Sequence, residues 1–384
     1  MAHLTKAKVY DIEDSNIALL GSDLEKHVRQ EAGELEPAWE DAGKAEGLQI
    51  WRIENFHVVP WPNERYGTFY DGDSYIVLYT FKKTPEAKSL SYDLHFWLGQ
   101  HTTQDEAGTA AYKTVELDGL LHGKPIQFRE VQSYESTRFL TYFPRFTCLK
   151  GGVASGFHHV AATPPLNIRK LYRITLIKAP SNGRSTLIVR EVAPVAESLV
   201  EGDTYVLDKG ENLLQLNTRM SAGQEKFKAA EFAQSIMNER QSQCSLEVFD
   251  EGGSGFGRFL AEFGEGTVLR KEDTPVERHD RSLFRLSDAS GEVKFEQLDA
   301  VRTSLSTMDA FLLDDSSSLT QPAIYVWIGK RASLNERRLA MQYAQRYLYK
   351  KQPPSGVSKA RSVAIPIVRM QEGDEPDDFL DLLL

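Results

Sequence analysis

Three pairs of carboxylates are the residues of this 384-residue chain best placed to do chemistry. Each pair joins an Asp at the head of an apolar run to a Glu standing nine residues past Trp97, Leu216 or Trp327 in the next run. The pairs are Asp73 with Glu106, Asp203 with Glu225, and Asp309 with Glu336. Two carboxylates supplemented by backbone carbonyls make a hard oxygen cage that suits Ca²⁺, with sensor-like affinity on the order of 10⁻⁷–10⁻⁵ M. Without a cation the two like charges repel, so an empty site is expected to be less well ordered. A second reading of the same residues stands beside this one. Thr103-x-x-Glu106, Ser333-x-x-Glu336 and Ser221-x-x-Gln224 all fit helix capping boxes, in which the acid satisfies backbone N–H groups and needs no metal.

The elements that must position these pairs repeat three times. An apolar-aromatic-Arg-apolar strand opens each unit: Ile50-Trp51-Arg52-Ile53, Leu171-Tyr172-Arg173-Ile174, Leu283-Phe284-Arg285-Leu286. An acidic turn then runs into a second strand, Gly72–Leu78, Gly202–Leu207 or Met308–Leu313, and a third follows at 95–99, 213–216 and 325–329. Each Glu opens a helix, and a final strand and helix close each unit near Phe139, Phe259 and Phe379. Strands apolar on both faces and about two helices per unit predict an α+β fold with a mixed sheet sandwiched between helices. Connectors at Ala154–Ile168, with Pro164-Pro165, and Glu265–Arg281, with Pro275, separate the units. The expected division is an extension over 1–46 and domains over 47–153, 154–265 and 266–384. Trp39 of the extension is expected to dock on the body.

One helix differs from its counterparts. In Thr102–Leu121, Ala110, Ala111, Thr114 and Leu117 form a core-facing stripe, and Thr109, Lys113 and Glu116 a polar strip. Gly108, Tyr112 and Val115 form a further apolar stripe. Where Tyr112 and Val115 stand in the first helix, the second has Glu231 and Gln234 and the third Gln342 and Gln345. The extra stripe therefore needs a cover, either Trp39 and the extension or a partner's groove.

Composition narrows the classes. Net charge is −10 and 41% of residues are hydrophobic, an ordinary globular balance that argues against nucleic acid as a partner. No apolar window reaches a membrane span. The opening residues lack a signal-peptide core, so the chain is expected to stay in the cytosol; a monomer is expected. Cys148 and Cys244 make neither a disulfide framework nor a zinc site. No nucleophile triad or P-loop is present, and His158-His159 lacks a third ligand.

The motifs YDGDSYIVL (70–78), HFWLG (95–99), TTQDEAGTAAYKTVELD (102–118), GGVASGFHHV (151–160) and YVWIGK (325–330) resemble the gelsolin superfamily, most closely its three-domain severin and fragmin type. The resemblance covers about residues 46 to 384. It implies three tandem gelsolin-like domains and a calcium-activated protein that severs actin filaments, caps their barbed ends and nucleates, with monomer and filament both as partners, in the cytoplasm and cytoskeleton. It implies calcium in each domain. The carbonyls of Gly72, Gly202 and Met308 would join the carboxylate pairs, and that of Val153 would complete the first site. A further ion would sit on Asp118 and the carbonyls of Gly123 and Pro125, closed by an actin carboxylate. From the residues alone, Asp118-Gly119 reads simply as a helix-ending turn. Gly108, Tyr112 and Val115 would enter actin's cleft, and interdomain contacts would hide them until calcium binds. Leu216-Asn217-Thr218 departs from the W-x-G pattern, and Met308 stands where the other units have Gly.

Two basic-aromatic stretches, 138–150 and 169–173, read first as structural helix and strand. With Arg138, Arg145, Lys150, Arg169, Lys170 and Arg173 they also suit anionic headgroups. The resemblance implies phosphatidylinositol bisphosphate and the filament side there. Two alternatives remain: an actin-binding cap or scaffold that does not sever, and a divalent-metal hydrolase. The hydrolase lacks a nucleophile or base near the metal, and three copies of one site suit regulation better than catalysis, so no enzyme is expected.

Overall fold

The computed structural model describes residues 35–152, 168–178, 185–240, 244–271, 281–318, 322–351, 365–376 and 379–383. In the first unit the order is β1 (Gly47–Glu54), β2 (His57–Pro60), β3 (Thr68–Tyr70), β4 (Ser74–Phe81), β5 (Ser91–Leu98), α1 (Gln104–Leu120), β6 (Ile126–Val131), α2 (Thr137–Thr141) and β7 (Arg145–Leu149). The second has β8 (Lys170–Lys178), β9 (Ser185–Val192), β10 (Thr204–Asp208), β11 (Asn212–Asn217), α3 (Gly223–Glu239), β12 (Ser245–Asp250) and α4 (Phe256–Ala261). In the third are β13 (Ser282–Ser287), β14 (Lys294–Leu298), β15 (Ala310–Asp315), β16 (Ala323–Ile328), α5 (Leu334–Lys350), β17 (Ile367–Gln371) and a closing 3-10 turn, Phe379–Leu382.

The same five-strand pattern recurs: β2-β1-β4-β5-β6, β9-β8-β10-β11-β12 and β14-β13-β15-β16-β17. The last two strands of each set are parallel and the rest antiparallel. A parallel pair needs a crossover, and the long helix supplies it every time: α1, α3 and α5 each lie between the two parallel strands. Burial on both faces accounts for the continuous apolar runs. In β15 and β16 every residue is buried. Ala110 and Leu117 of α1 pack with Trp51, Ile76 and Leu94 on one face of the first sheet. Phe139 and Leu140 of α2 pack with Ile50, Tyr75 and Trp97 on the other.

Glycines ending β5 and β16 are required by contact. A Cβ on Gly99 would lie 2.3 Å from the Asp71 carbonyl oxygen, and one on Gly329 would lie 2.4 Å from that of Thr307. Thr218 holds this place in the second unit. It is fully buried, and its hydroxyl accepts the Gly202 N–H at 3.2 Å.

The units share sheets. Strand β17 of the third pairs antiparallel with β6 of the first, Val368 opposite Phe128, which joins ten strands in one sheet. Ile126 and Phe128 are packed into the core that holds Phe311, Trp327 and Val368. Strand β7 leaves the first unit's sheet for the second's, pairing with β9 and carrying β3 beyond it. A division at residue 153 therefore cuts after a strand that hydrogen-bonds into the neighbouring unit. The edges of β6, β17 and β9 are covered instead of open to stray pairing.

On β15, buried Asp314 accepts hydrogen bonds from Lys351, Ser316 and Tyr347. Burial works to raise its pKa, but these bonds and the Lys351 charge hold it below the ordinary carboxylate value. A carboxyl depressed on folding stabilises above its unfolded pKa, and that contribution is lost as pH falls through the folded value. Asp314→Asn is expected to cost about 1–3 kcal/mol at neutral pH. The gap to the parent should shrink below about pH 4, as urea titrations across pH will read.

Candidate functional site

In the first unit Asp73 precedes β4 and its side chain is fully buried. Oδ2 lies 3.5 Å from Arg52 Nη1 and accepts the Tyr75 hydroxyl at 3.1 Å. Arg52 also donates to Glu54, through Nε at 2.7 Å and through Nη2. The chain after β7 returns onto this corner. Gly72 donates its N–H to Gly151 at 2.6 Å, and Gly151 donates to Asp71 Oδ1 at 2.7 Å. A Cβ on Gly152 would come within 2.4 Å of Asp73 Oδ1. Val153 lies outside the described residues, one position further on. Glu106 is buried in the first turn of α1, where its N–H donates to the Thr103 cap at 3.2 Å. Its carboxylate accepts from the Thr102 hydroxyl at 3.3 Å.

The other two pairs carry the same parts with different partners. Asp203 accepts from Arg173 Nε. Glu225 accepts N–H groups from Leu176 and Ala222, both at 2.8 Å. The cap of α3 is thus Ala222, not the expected Ser221, and alanine has no acceptor with which to complete the box. In the third unit Glu336 accepts from Asp288 N–H at 2.9 Å and Ser333 N–H at 2.8 Å, a full capping box with Ser333. Burial pushes the Glu336 carboxyl up; these two bonds pull it down, and the charges of Asp288 and Asp309 add to the rise. Arg285, the counterpart of Arg52 and Arg173, donates to Glu296. Capping therefore accounts for the glutamates of the second and third units, while Asp203 and Asp309 are buried at the heads of β10 and β15.

These donors fit a hard dication. Every side-chain donor is an oxygen, and the glycine cradle at 72 and 152 leaves no room for a side chain. Among the described residues no three His, Cys, Asp or Glu side chains converge on one point, so carbonyl oxygens would have to complete each shell. Met308 needs no glycine, because its side chain is half exposed and its φ is not positive.

The further site expected at the end of α1 faces the third unit. Helix α1 runs to Leu120, one residue past Gly119. Asp118 Oδ2 lies 4.0 Å from Arg369 Nη1 of β17. The Gly123 carbonyl accepts from Gln371 Nε2 at 2.8 Å. Pro125 directly precedes β6, the strand that pairs with β17. Two of the three expected donors are thus turned toward side chains of β17.

Along α1 the expected partner stripe stands clear. Tyr112 is 57% exposed, Gly108 is exposed with open space above it, and Val115 is half-buried. The expectation that interdomain contacts hide this stripe is not met. The extension instead covers the strip read as polar. Trp39 Nε1 donates to buried Glu116 at 2.9 Å, and Lys113 Nζ bridges Glu36 and Glu116 at 2.7 and 3.0 Å. Trp39 also meets Trp51 edge-on, at 4.9 Å between centroids. A Glu paired with an indole N–H and an ammonium is a buried group, which a polar helical position does not disclose.

The six basic candidates do not form one free patch. Arg138 is bound to Asp93 at 2.7 Å, and Arg173 to Asp203. Arg169 and Lys170 face Glu262 and Glu191. Arg145, Lys150 and Arg169 are exposed. His158-His159 lies outside the described residues. Sequence reasoning missed the arginine–aspartate pairing, although its signal, one Arg in each opening strand, was in the repeat.

The family model for the gelsolin repeat matches residues 55–140 and 292–380. Gelsolin-like protein 1 of Lumbricus terrestris is 42% identical over 85% of this chain and 86% of its own length. Gelsolin-like protein 2 of the same species is 37% identical over 99% and 98%. Severin of Echinococcus granulosus is 37% identical over 91% and 92%.

Because the partner stripe is exposed and Trp39 is buried, the two should respond differently to truncation. Tyr112→Ala is expected to change stability by no more than about 0.5 kcal/mol. Trp39→Ala should cost about 3–5 kcal/mol. Urea unfolding of the two variants checks both.

Proposed function

We infer that this chain, which belongs to the gelsolin family, severs actin filaments and caps their barbed ends under calcium control. The single observation that carries this is Tyr112, exposed on α1 beside half-buried Val115, where α3 has Glu231 and Gln234 and α5 has Gln342 and Gln345; on α3 the exposed Phe227 stands at the place of Gly108. A half-exposed aromatic on a rigid helix is a suitable anchor for a partner's groove, and burying such a side chain contributes about 1.5–3 kcal/mol. The second domain is assigned the filament side and the first the wedge between subunits. Nucleation, a monomeric state and a place in the cytoplasm and cytoskeleton belong to the same reading, and no catalytic residue is assigned. Exposed Arg145, Lys150 and Arg169 are the basic groups offered to a phosphatidylinositol bisphosphate headgroup.

Asp73 with Glu106, Asp203 with Glu225, and Asp309 with Glu336 would hold calcium, with the carbonyls of Gly72, Gly202, Met308 and Val153. Bound calcium supplies a divalent charge that neutralises the carboxylates and a hard centre for the carbonyl oxygens. Gly123 and Asp118 would complete their own site only once Gln371 and Arg369 have left them. Pairing of β17 with β6 therefore keeps that end of α1 occupied by the third domain. The opened arrangement must hold the cation better than the closed one, since equal affinity shifts no population.

Disassembly of diluted pyrene-labelled filaments tests this. Acceleration in calcium and none in chelator is expected. Retardation in calcium would instead favour the cap or scaffold reading, and no effect on filaments would overturn both. Tyr112→Glu should abolish the acceleration. Arg369→Ala with Gln371→Ala should lower the calcium needed for half-maximal effect roughly fivefold, the equivalent of about 1 kcal/mol of lost contacts.

A further inference from the structure

We propose that Arg52 and Arg173 are built-in competitors for the cation sites of the first two domains. In this view each guanidinium holds the site's aspartate until a divalent cation displaces it, and among the described residues of the third domain the corresponding arginine, Arg285, is bonded elsewhere. The inference rests on the calcium reading above and deepens it.

Three homologous positions carry the argument. Arg52, Arg173 and Arg285 occupy the same place in the opening strand of their units. Each stands opposite the residue two beyond the site's aspartate: Arg52 across from Tyr75, Arg173 from Tyr205, Arg285 from Phe311. Residues two apart on a strand share a face, so each guanidinium starts on the aspartate's side of the sheet. Arg52 reaches Asp73, whose carboxylate is wholly buried, and Arg173 bonds Asp203. Arg285 instead joins Glu296 of the neighbouring strand β14. The difference traces to that acidic residue, since Glu296 lies directly opposite Arg285 in the register. Val59 lies opposite Arg52 in the first unit.

The chemistry is one of exchange. A buried carboxylate without a positive partner is costly, so the guanidinium stabilises the cation-free protein. A dication on the same aspartate must first break that ion pair, and its apparent affinity falls by the strength of the pair. Arg52 divides its donors between Glu54 and Asp73, whereas Arg285 is bonded to Glu296 across the sheet, so binding in the third unit displaces no arginine.

Calorimetry with Ca²⁺ on the full chain tests the idea. Each site is read in a background in which the other two helix-opening glutamates are changed to Gln. Arg52→Met in the first-site background and Arg173→Met in the second should each tighten calcium binding about tenfold, the worth of one charge-assisted hydrogen bond. Arg285→Met in the third-site background should leave binding within about twofold, because that bond lies elsewhere. Thermal unfolding provides an independent readout. Arg52→Met should lower the midpoint more in chelator than in saturating calcium, because the bonds to Glu54 are lost in both and the bond to Asp73 only in chelator; a variant unfolded in chelator and folded in calcium fits the same pattern. Unchanged affinity in Arg52→Met and Arg173→Met overturns the proposal. So does equal tightening in Arg285→Met, which would reveal only long-range charge. So does a midpoint lowered equally with and without calcium. A parent chain that binds no calcium at any site would sink the underlying calcium reading as well, so the two failures are distinguishable.

Discussion

A carboxylate removed from water must have positive charge or N–H donors beside it, and the repeated corner of this protein is arranged around that need. Asp73 has no exposed surface, while Asp203 and Asp309 each keep 8%. The pairing of the opening strand with the one that follows the acidic turn decides what lies next to them. With Arg52 opposite Tyr75 and Arg173 opposite Tyr205, the guanidinium falls on the aspartate's face. A slip of one residue would send it to the other side of the sheet and strand a buried charge. Sheet register and site chemistry are therefore a single constraint.

The same corner sits where units touch. The turn at Gly151 and Gly152, which presses on Asp73, follows directly from β7, and β7 is bonded to β9 of the second unit. The far end of α1 is tied to β17 of the third unit through Gly123, with Asp118 nearby. Both ends of the first domain's helix thus adjoin chain that neighbouring domains hold in place. Shared sheets link the units through backbone hydrogen bonds, and the mixed core around Phe128 and Trp327 adds apolar burial to one of the links. Local charge at a turn can bias such an arrangement, provided the two arrangements differ in affinity for the ion.

Much of this was legible in residue order. Apolar runs bounded by acidic turns mark β4, β10 and β15, and the helices opened by Glu106, Glu225 and Glu336 begin where capping signals place them, to within a residue. The unusual stripe at Tyr112 was visible by comparing three copies of one helix, and it is exposed. Pairing between distant edges was not legible. Strands β6 and β17 carry no mark that separates an edge meeting its own unit from one meeting another, because backbone bonds read no side chains. Trp39 could be expected to dock, but its hydrogen bond to Glu116 required knowing that a polar position would be buried. The arginines were quoted as strand markers; their role depends on which acid lies across the sheet, and Glu296 shows how one neighbour redirects it.

The central claim is that arginine and calcium are alternative counter-ions for the same buried aspartates. A crystal structure of the calcium-saturated chain measures this most directly, through the separation of the Arg52 guanidinium from the Asp73 carboxylate. The account predicts a metal bound to Asp73 and Arg52 withdrawn from it, its remaining bonds made to Glu54. A metal on Asp73 with Arg52 still at its present 3.5 Å would contradict it.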